Sequence, residues 1–272
     1  TIYAPAGNGI RLMDFANGVA IQNNILYAQS GYALYVAADS QFGYSSDYNN
    51  LYATGSGRVA FQGKDFHDVY DWQAETESDL HSIGRTDPDP ALDDPRFVAL
   101  AADDYRLSPG STSIDAGHPG TDFSLEPGPN GGRINLGAYG NTPLAAASEP
   151  SWLRIAAPTF YADLVPSLTY DIRWDAYNVP GTDRIDIALL GSDGTKLADV
   201  ASTVVSVGSV TWSPGQLVSG DPGHRYRIEL KTSGATPLTA RSREPFSVPD
   251  VVPAQAQTFY VNDRTQADDE YT

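Results

Sequence analysis

No cysteine occurs in the 272 residues, which excludes disulfide bonds, cysteine nucleophiles and thiolate metal sites together. Lysine is nearly as scarce, at Lys64, Lys196 and Lys231 alone, and Met13 is the single methionine. No run approaches the roughly 18 apolar residues a membrane span needs, so a soluble chain without membrane insertion is expected. The four histidines, His67, His81, His118 and His224, stand singly and outside any H-E-x-x-H pattern, and no serine lies in a G-x-S-x-G elbow. Surface or turn positions are expected for them, because a catalytic histidine needs an orienting partner. Gly55-Ser56-Gly57 and Gly131-Gly132 lack the strand-to-helix setting of a phosphate loop and read as turns. Thr1 follows neither a start methionine nor a signal-like segment, so a mature product or an excised piece, entered in mid-fold, is expected.

Acids are what the chain has in excess: 34 Asp and Glu against 17 Lys and Arg, a formal charge of −17. Twelve of the acids fall between residues 65 and 104, against Arg85 and Arg96. Such a surface repels phosphate backbones and polyuronates, which argues against nucleic acid as a partner and an anionic glycan as a substrate. Solubility is the plain role of this charge. The one cofactor it suggests is calcium, held among Asp87, Asp89, Asp93, Asp94, Asp103 and Asp104, since that ion takes about six to eight oxygen ligands. Adjacent pairs such as Asp93-Asp94 and Asp103-Asp104 are poorly built for one shared site, however, because neighbours on a strand point to opposite faces. In turns they would accept hydrogen bonds from backbone amides instead.

Asn23-Asn24 and Asn49-Asn50 open two copies of one phrase, NNILYA and NNLYA, offset by 26 residues. A period in this range marks a solenoid whose repeats bury their apolar faces only against neighbours. Stacking would bring equivalent asparagines into a hydrogen-bonded ladder, satisfying amides that are costly to bury unpaired. Ala33, Tyr35 and Ala37 alternate with Leu34 and Val36 as a strand requires, and Gly31 and Gly43 mark turns. Over Asp65 to Glu77 the spacing of Phe66, Val69, Tyr70 and Gln73 is helical, with Asp65 placed to cap and Trp72 beside the apolar stripe as a packing residue. After residue 151, Leu168, Tyr170, Ile172 and Trp174 alternate. So do Ile185, Ile187 and Leu189, then Val210 and Trp212, then Tyr226, Ile228 and Leu230, then Phe246 and Val248. Pro180-Gly181, Ser192-Asp193-Gly194, Ser213-Pro214-Gly215 and Asp221-Pro222-Gly223 separate them. Several short strands without cysteine predict a β-sandwich of about 100 residues.

Asp94-Pro95-Arg96-Phe97, Tyr105-Arg106-Leu107, Pro109-Gly110-Ser111, Ile114-Asp115-Ala116-Gly117 and Gly137-Ala138-Tyr139 follow one another in an order that resembles the closing coil of bacterial secreted right-handed parallel β-helix proteins, the pectate-lyase-like repeat proteins. Trp72-Gln73 stand where carriers of that tail often have a "WQ" helix. The stretch YDIRWDAYNVPGTDRIDIALL with VTWSP and YRIEL resembles the immunoglobulin- or fibronectin-like module of bacterial and fungal wall proteins. Phe259-Tyr260-Val261-Asn262-Asp263 is similar to the opening strand of a further β-helix. The resemblances imply an all-β chain: end coils of a β-helix over 1–140, a linker at 141–151, an immunoglobulin-like β-sandwich over 152–249, and a linker with an opening or donor strand over 250–272.

The function these resemblances imply is that of a non-catalytic structural module in an extracellular, secreted bacterial repeat protein, released or held at the cell surface. Its partners would be other copies of itself, assembled head-to-tail into a filament or surface layer through the strand Thr258, Phe259, Tyr260 and Val261. The alternatives are the non-catalytic C-terminal portion of a polysaccharide lyase or epimerase, and an adhesin that binds cell-surface polysaccharide. No residue is assigned as catalytic; lyases on this scaffold use arginine or lysine as base, often with calcium, in middle coils that would lie upstream of Thr1. The chain is therefore expected to release no unsaturated sugar from pectin, alginate or chondroitin, and ultraviolet absorbance of such digests checks it.

Overall fold

The computed structural model describes residues 1–86, 90–158, 164, 166, 168–191, 193–215, 225–242 and 246–248, and they are predominantly β. The chain divides into two compact units, one of Thr1–Leu153 with Ala176–Val179, the other of Arg154–Asp175 with the described residues from Pro180 on.

The first unit starts with short strands: β1 (Ile2–Ala4), β2 (Ile10–Leu12), β3 (Val19–Gln22), β4 (Ile25–Ala28), β5 (Tyr32–Val36), β6 (Tyr44–Asp47), β7 (Asn50–Ala53) and β8 (Arg58–Phe61). They pair in parallel as β1-β4-β7, β2-β5-β8 and β3-β6. Partners recur at a step of 24 to 26 residues, as in Ile2↔Leu26, Leu26↔Leu51, Val19↔Tyr44 and Leu34↔Ala60. Each strand is too short to bury anything alone. Stacked, they enclose Leu12, Ile25, Leu26, Leu34, Val36, Leu51, Val59 and Ala60, side chains of a kind worth about 1.5–3 kcal/mol each for Val, Leu or Ile when removed from water. Turns between them need glycine where passes touch: Gly31 has φ +77, and a Cβ there would run into the Gly7 carbonyl oxygen.

The register differs from the one the asparagine pairs suggest. Ile25 faces Asn50 and Leu26 faces Leu51, a shift of 25, so Asn24 meets Asn49 while Asn23 meets Tyr48 through its backbone. Burial of the Leu-Tyr-Ala core outweighs the match of Asn-Asn, and one rung remains of the expected ladder. Asn49 Oδ1 accepts from the Asn24 backbone N–H at 3.0 Å, and its Nδ2 donates to the Ile21 carbonyl at 2.9 Å and to Asp79 Oδ1 at 3.1 Å. Asn50 instead donates to the Asp93 carbonyl and Ser113 Oγ, both at 2.9 Å, tying down the segment that follows.

After β9 (Asp65–Phe66), antiparallel to β8, comes α1 (Val69–Thr76) and then β10 (Ile83–Gly84), which rejoins β7 in parallel. The helix is shorter than the sequence suggests, and Asp68 caps it, its Oδ1 accepting the Tyr70 N–H at 2.7 Å; Asp65 lies in the strand before. Its inner face centres on a fully buried carboxylate. Asp79 Oδ1 accepts from Ser82 Oγ at 2.6 Å and Ser46 Oγ at 2.9 Å, and Oδ2 accepts from Trp72 Nε1 at 3.0 Å. Burial pushes this carboxyl above its ordinary range, while the side chains of Ser82, Trp72, Asn49 and Ser46 pull it down. Gln73 donates to the carbonyl oxygens of Asp79 and Ser82.

The hairpin β11 (Phe97–Ala99) and β12 (Asp104–Leu107) then covers an in-register tyrosine stack, Tyr3 to Tyr27 at 5.2 Å and Tyr27 to Tyr52 at 5.0 Å. Phe97 lies 6.5 Å from Tyr27, and Tyr105 6.4 Å from Tyr3. Leu107, Ile114 and Leu136 join Ile25 and Ile83 in one core, with Ala146 packed on it. Residues 141–148, expected as linker, are held here: Ser148 Oγ donates to the buried Asp115 at 2.9 Å and Asn135 Nδ2 to the Ala146 carbonyl at 2.8 Å.

Among the described residues the remaining strands form two sheets. One is ordered β13 (Trp152–Ala157), β14 (Tyr170–Tyr177), β17 (Ser209–Trp212). The other runs β16 (Lys196–Val204), β15 (Arg184–Gly191), β18 (Arg225–Thr232), β19 (Thr239–Arg241), with β20 (Phe246–Ser247) also on β18. Of the alternating residues expected inside, Ile172, Trp174, Ile185, Ile187, Leu189, Tyr226, Ile228, Leu230, Phe246 and Val248 are buried, and Tyr170, Val210 and Trp212 are half-buried. Leu168 departs furthest; it precedes β14 and is exposed. Trp212 meets Phe246 of the other sheet edge-on at 6.0 Å.

Replacing Asp79 by asparagine sets a donor among donors. The variant should lose about 2–4 kcal/mol of unfolding free energy, and Trp72→Phe, which removes the indole N–H from the carboxylate and leaves a cavity in a fully buried site, also about 2–4 kcal/mol. Urea denaturation followed by circular dichroism checks both.

Candidate functional site

Two of the four histidines do not stand singly. The turn before β7 and two later segments bring His81 and His118 to one side chain, Tyr48: His81 stacks on it at 4.7 Å with planes 2° apart, and His118 meets it edge-on at 4.9 Å. Tyr48 is in the left-handed region at φ 54, which turns its ring outward from the end of β6. Asp47 organises the group. Its Oδ1 accepts from the backbone N–H of Tyr48 and of His81, and its Oδ2 lies 2.7 Å from His81 Nδ1. The Arg133 guanidinium sits 5.5 Å from the Tyr48 ring centre and donates to the Gly117 carbonyl through Nε at 2.8 Å. Partial burial and the nearby Asp47 charge hold the Tyr48 hydroxyl above the usual phenol range, against the Arg133 charge.

A carboxylate, an imidazole and a phenol within contact could in principle move a proton. Their geometry is that of a clamp instead. Asp47 is occupied by three donors from the segments it joins, Arg133 by backbone carbonyls, and His118 by the Gly120 N–H, which its Nδ1 accepts at 3.0 Å, while the His118 backbone N–H donates to Asn23 Oδ1 at 2.7 Å. The signal that could have exposed this group was the register. Aligning the two copies on Leu-Tyr-Ala sets Tyr48 over Asn23, the residue that binds His118. His67 lies exposed between β9 and α1, and His224 falls outside the described residues.

The proposed calcium ligands are dispersed. Asp87 and Asp89 lie outside the described residues. Asp93 is buried and accepts the Gly84 N–H at 3.2 Å, Asp94 accepts the Arg96 N–H at 2.8 Å, Asp103 accepts from Tyr105 Oη at 2.8 Å, and Asp104 forks to Arg106. The hydrogen bonds and charge of Arg106 hold the Asp104 carboxyl below the ordinary range. Among the described residues no group of three His, Cys, Asp or Glu could hold a metal ion. Thr258, Phe259, Tyr260 and Val261 also lie outside the described residues.

On the sheet β2-β5-β8 an outer stack runs from Arg11, 5.0 Å above the Tyr35 ring, to Phe61, coplanar with Tyr35 within 4° at 4.8 Å. Tyr32 packs on both rings and donates to Asp65 Oδ1 at 2.7 Å. Because the faces of Tyr35 are turned to its neighbours in the stack, this row ties strands together and offers little flat surface to a ligand.

No protein-family model matches the chain, and no curated protein matches it. Among solved structures, one described as "Structures of Clostridium thermocellum CbhA fibronectin(III)-like modules" is similar at 12% identity over 35% of this chain and 98% of that chain, with a TM-score of 0.23.

A clamp predicts a structural response. Tyr48→Ala should lower stability by about 1–3 kcal/mol while Tyr48→Phe leaves it nearly unchanged, since stacking area and not the hydroxyl is in use. Thermal melts of the two variants distinguish the clamp from a site that needs the phenol.

Proposed function

We propose that the chain is a non-catalytic structural segment of an extracellular bacterial repeat protein, its first unit the end coils of a right-handed parallel β-helix and its second an immunoglobulin-like spacer. The observation that carries this is the common step of the three parallel sheets. Strands that recur every 24 to 26 residues in parallel register are what coils of one helix would produce, and parallel crossovers are right-handed in nearly all proteins. Supporting it, the groups with chemical potential are engaged in holding passes of chain together: Asp79 inside, Asp47 and Arg133 at the corner, Arg11 and Tyr35 outside.

Head-to-tail association belongs to the same proposal. The pattern of apolar residue, tyrosine and aliphatic residue in Ile2-Tyr3-Ala4, Leu26-Tyr27-Ala28 and Leu51-Tyr52-Ala53 returns in the sequence Phe259-Tyr260-Val261, whose β propensity would suit pairing with another copy. Removal of residues 255–272, or Tyr260→Pro, should convert any filaments seen by electron microscopy into monomers; filaments that persist place the joint elsewhere.

Absence of native cysteine makes the coil register directly testable. Ala20 and Ser45 are exposed partners in β3 and β6, at the strand spacing of about 4.8 Å that suits a disulfide. An Ala20→Cys, Ser45→Cys double variant should oxidise readily to an intramolecular bridge and melt at a higher temperature. Free thiols after oxidation, read by mass spectrometry, would overturn the stacked-coil reading.

A further inference from the structure

Two strongly exposed phenylalanines of the first unit take part in no ring stack. Phe15 is 79% exposed and Phe42 86%, and Met13, two residues before Phe15, is 42% exposed. The ring contacts of the neighbouring sheet run through Tyr32, Tyr35 and Phe61 and include neither. The two loops that carry them are nonetheless held side by side. Leu12 and Val36 end paired strands, and from there the segments 13–18 and 37–43 are laced together: the Ala37 N–H donates to the Leu12 carbonyl at 2.9 Å, the Ala16 N–H to Ser40 Oγ at 3.0 Å, and the Gly18 N–H to the Gly43 carbonyl at 2.6 Å. Gly43 takes φ +77, and a Cβ there would collide with Asn17 Oδ1. Phe15 thus adjoins one clamped residue and Phe42 another.

Folding gains almost nothing from these rings and is opposed by the backbone of one. Asp14 and Phe15 take φ 58 and 60 in succession, a conformation that costs about 1–2 kcal/mol for a residue with a Cβ and is an outlier for a bulky one. A strained residue that presents an unburied ring suggests selection for something other than stability.

We propose that the corner of Met13, Phe15 and Phe42 is a binding platform for a neutral saccharide. The two segments read MDFANG and AADSQFG, with Asp14 and Asp39 and no Lys or Arg, so a polyuronate, a sulfated glycan or a phosphate-bearing surface meets repulsion. Exposed ring faces accept the C–H face of a pyranose, and the carboxylates and amides of Asp14, Asn17, Asp39 and Gln41 around them accept and donate to its hydroxyl groups. Two rings and one thioether on two short loops fall well short of the roughly 1,000 Å² that a specific protein interface buries, which favours a sugar over a folded partner.

Affinity electrophoresis of the full 272-residue chain tests it, with hydroxyethylcellulose, xyloglucan, galactomannan or arabinoxylan cast in the gel and polygalacturonate as the anionic control. Retardation is expected in at least one neutral gel and not in polygalacturonate. A Phe15→Gly, Phe42→Ala variant should bind about tenfold more weakly or not at all, while melting at or above the wild-type temperature, because glycine relieves the strain at position 15. The proposal falls if no neutral gel retards the chain, if only polygalacturonate does, or if the double variant is retarded as strongly as wild type. Self-association in analytical ultracentrifugation that the double variant abolishes, without any retardation, would assign the corner to a protein interface instead.

Discussion

The carboxylate of Asp79 is where three separate passes of chain are made to agree. It gathers Ser46 at the end of β6, Asn49 before β7, Trp72 from α1 and Ser82 before β10, all buried. Apolar burial alone is tolerant of small slips, since Leu or Ile can fill a neighbour's place at modest cost. A buried charge surrounded by four oriented donors is not, because any slip leaves polar groups unpaired at about 1–3 kcal/mol each. The network fixes how far β10 lags β7 after an inserted helix, and the later core of Leu107, Ile114 and Leu136 is built on the position of Ile83 that results.

Outside this interior, aromatic residues act mostly as ties. The Tyr3, Tyr27, Tyr52 stack is covered by the β11–β12 hairpin, the Tyr35, Phe61 stack carries Arg11, and Tyr48 joins His81, His118 and Arg133. In each the ring faces are turned to neighbours of the same molecule. That pattern separates the two exposed phenylalanines from the rest, since a surface rich in aromatics that are already paired makes unpaired ones the exception in need of a cause.

How much of this was legible varies with the distance over which each feature is decided. Strand content and the inward residues of β14, β15, β18 and β20 follow from two-residue alternation, a local property. The repeat was visible too, but aligned on Asn-Asn it was one residue out, because only packing reveals that Leu26 and Leu51 must share a layer. The cap of α1 moved from Asp65 to Asp68 for a similar reason: β9 captures Asp65 and Phe66 by pairing with β8. Of the acidic residues suggested for calcium, Asp93 and Asp94 accept nearby backbone amides, as their turn positions imply, while Asp103 and Asp104 are engaged by Tyr105 and Arg106.

Composition and spacing by themselves determined that this is a cysteine-free, acidic chain of short strands with a repeat near its start and alternating strands in its second half, since those depend on residue type and local period. Tertiary structure decided the rest: which asparagine stacks on which, that His81 and His118 share Tyr48, that residues 141–148 pack instead of linking, and that the loops carrying Phe15 and Phe42 are laced together. Each of these joins positions 24 or more residues apart or depends on what a neighbour has already used. Side chains distant in sequence carry no mutual spacing, so only the stacking of successive passes could bring them together.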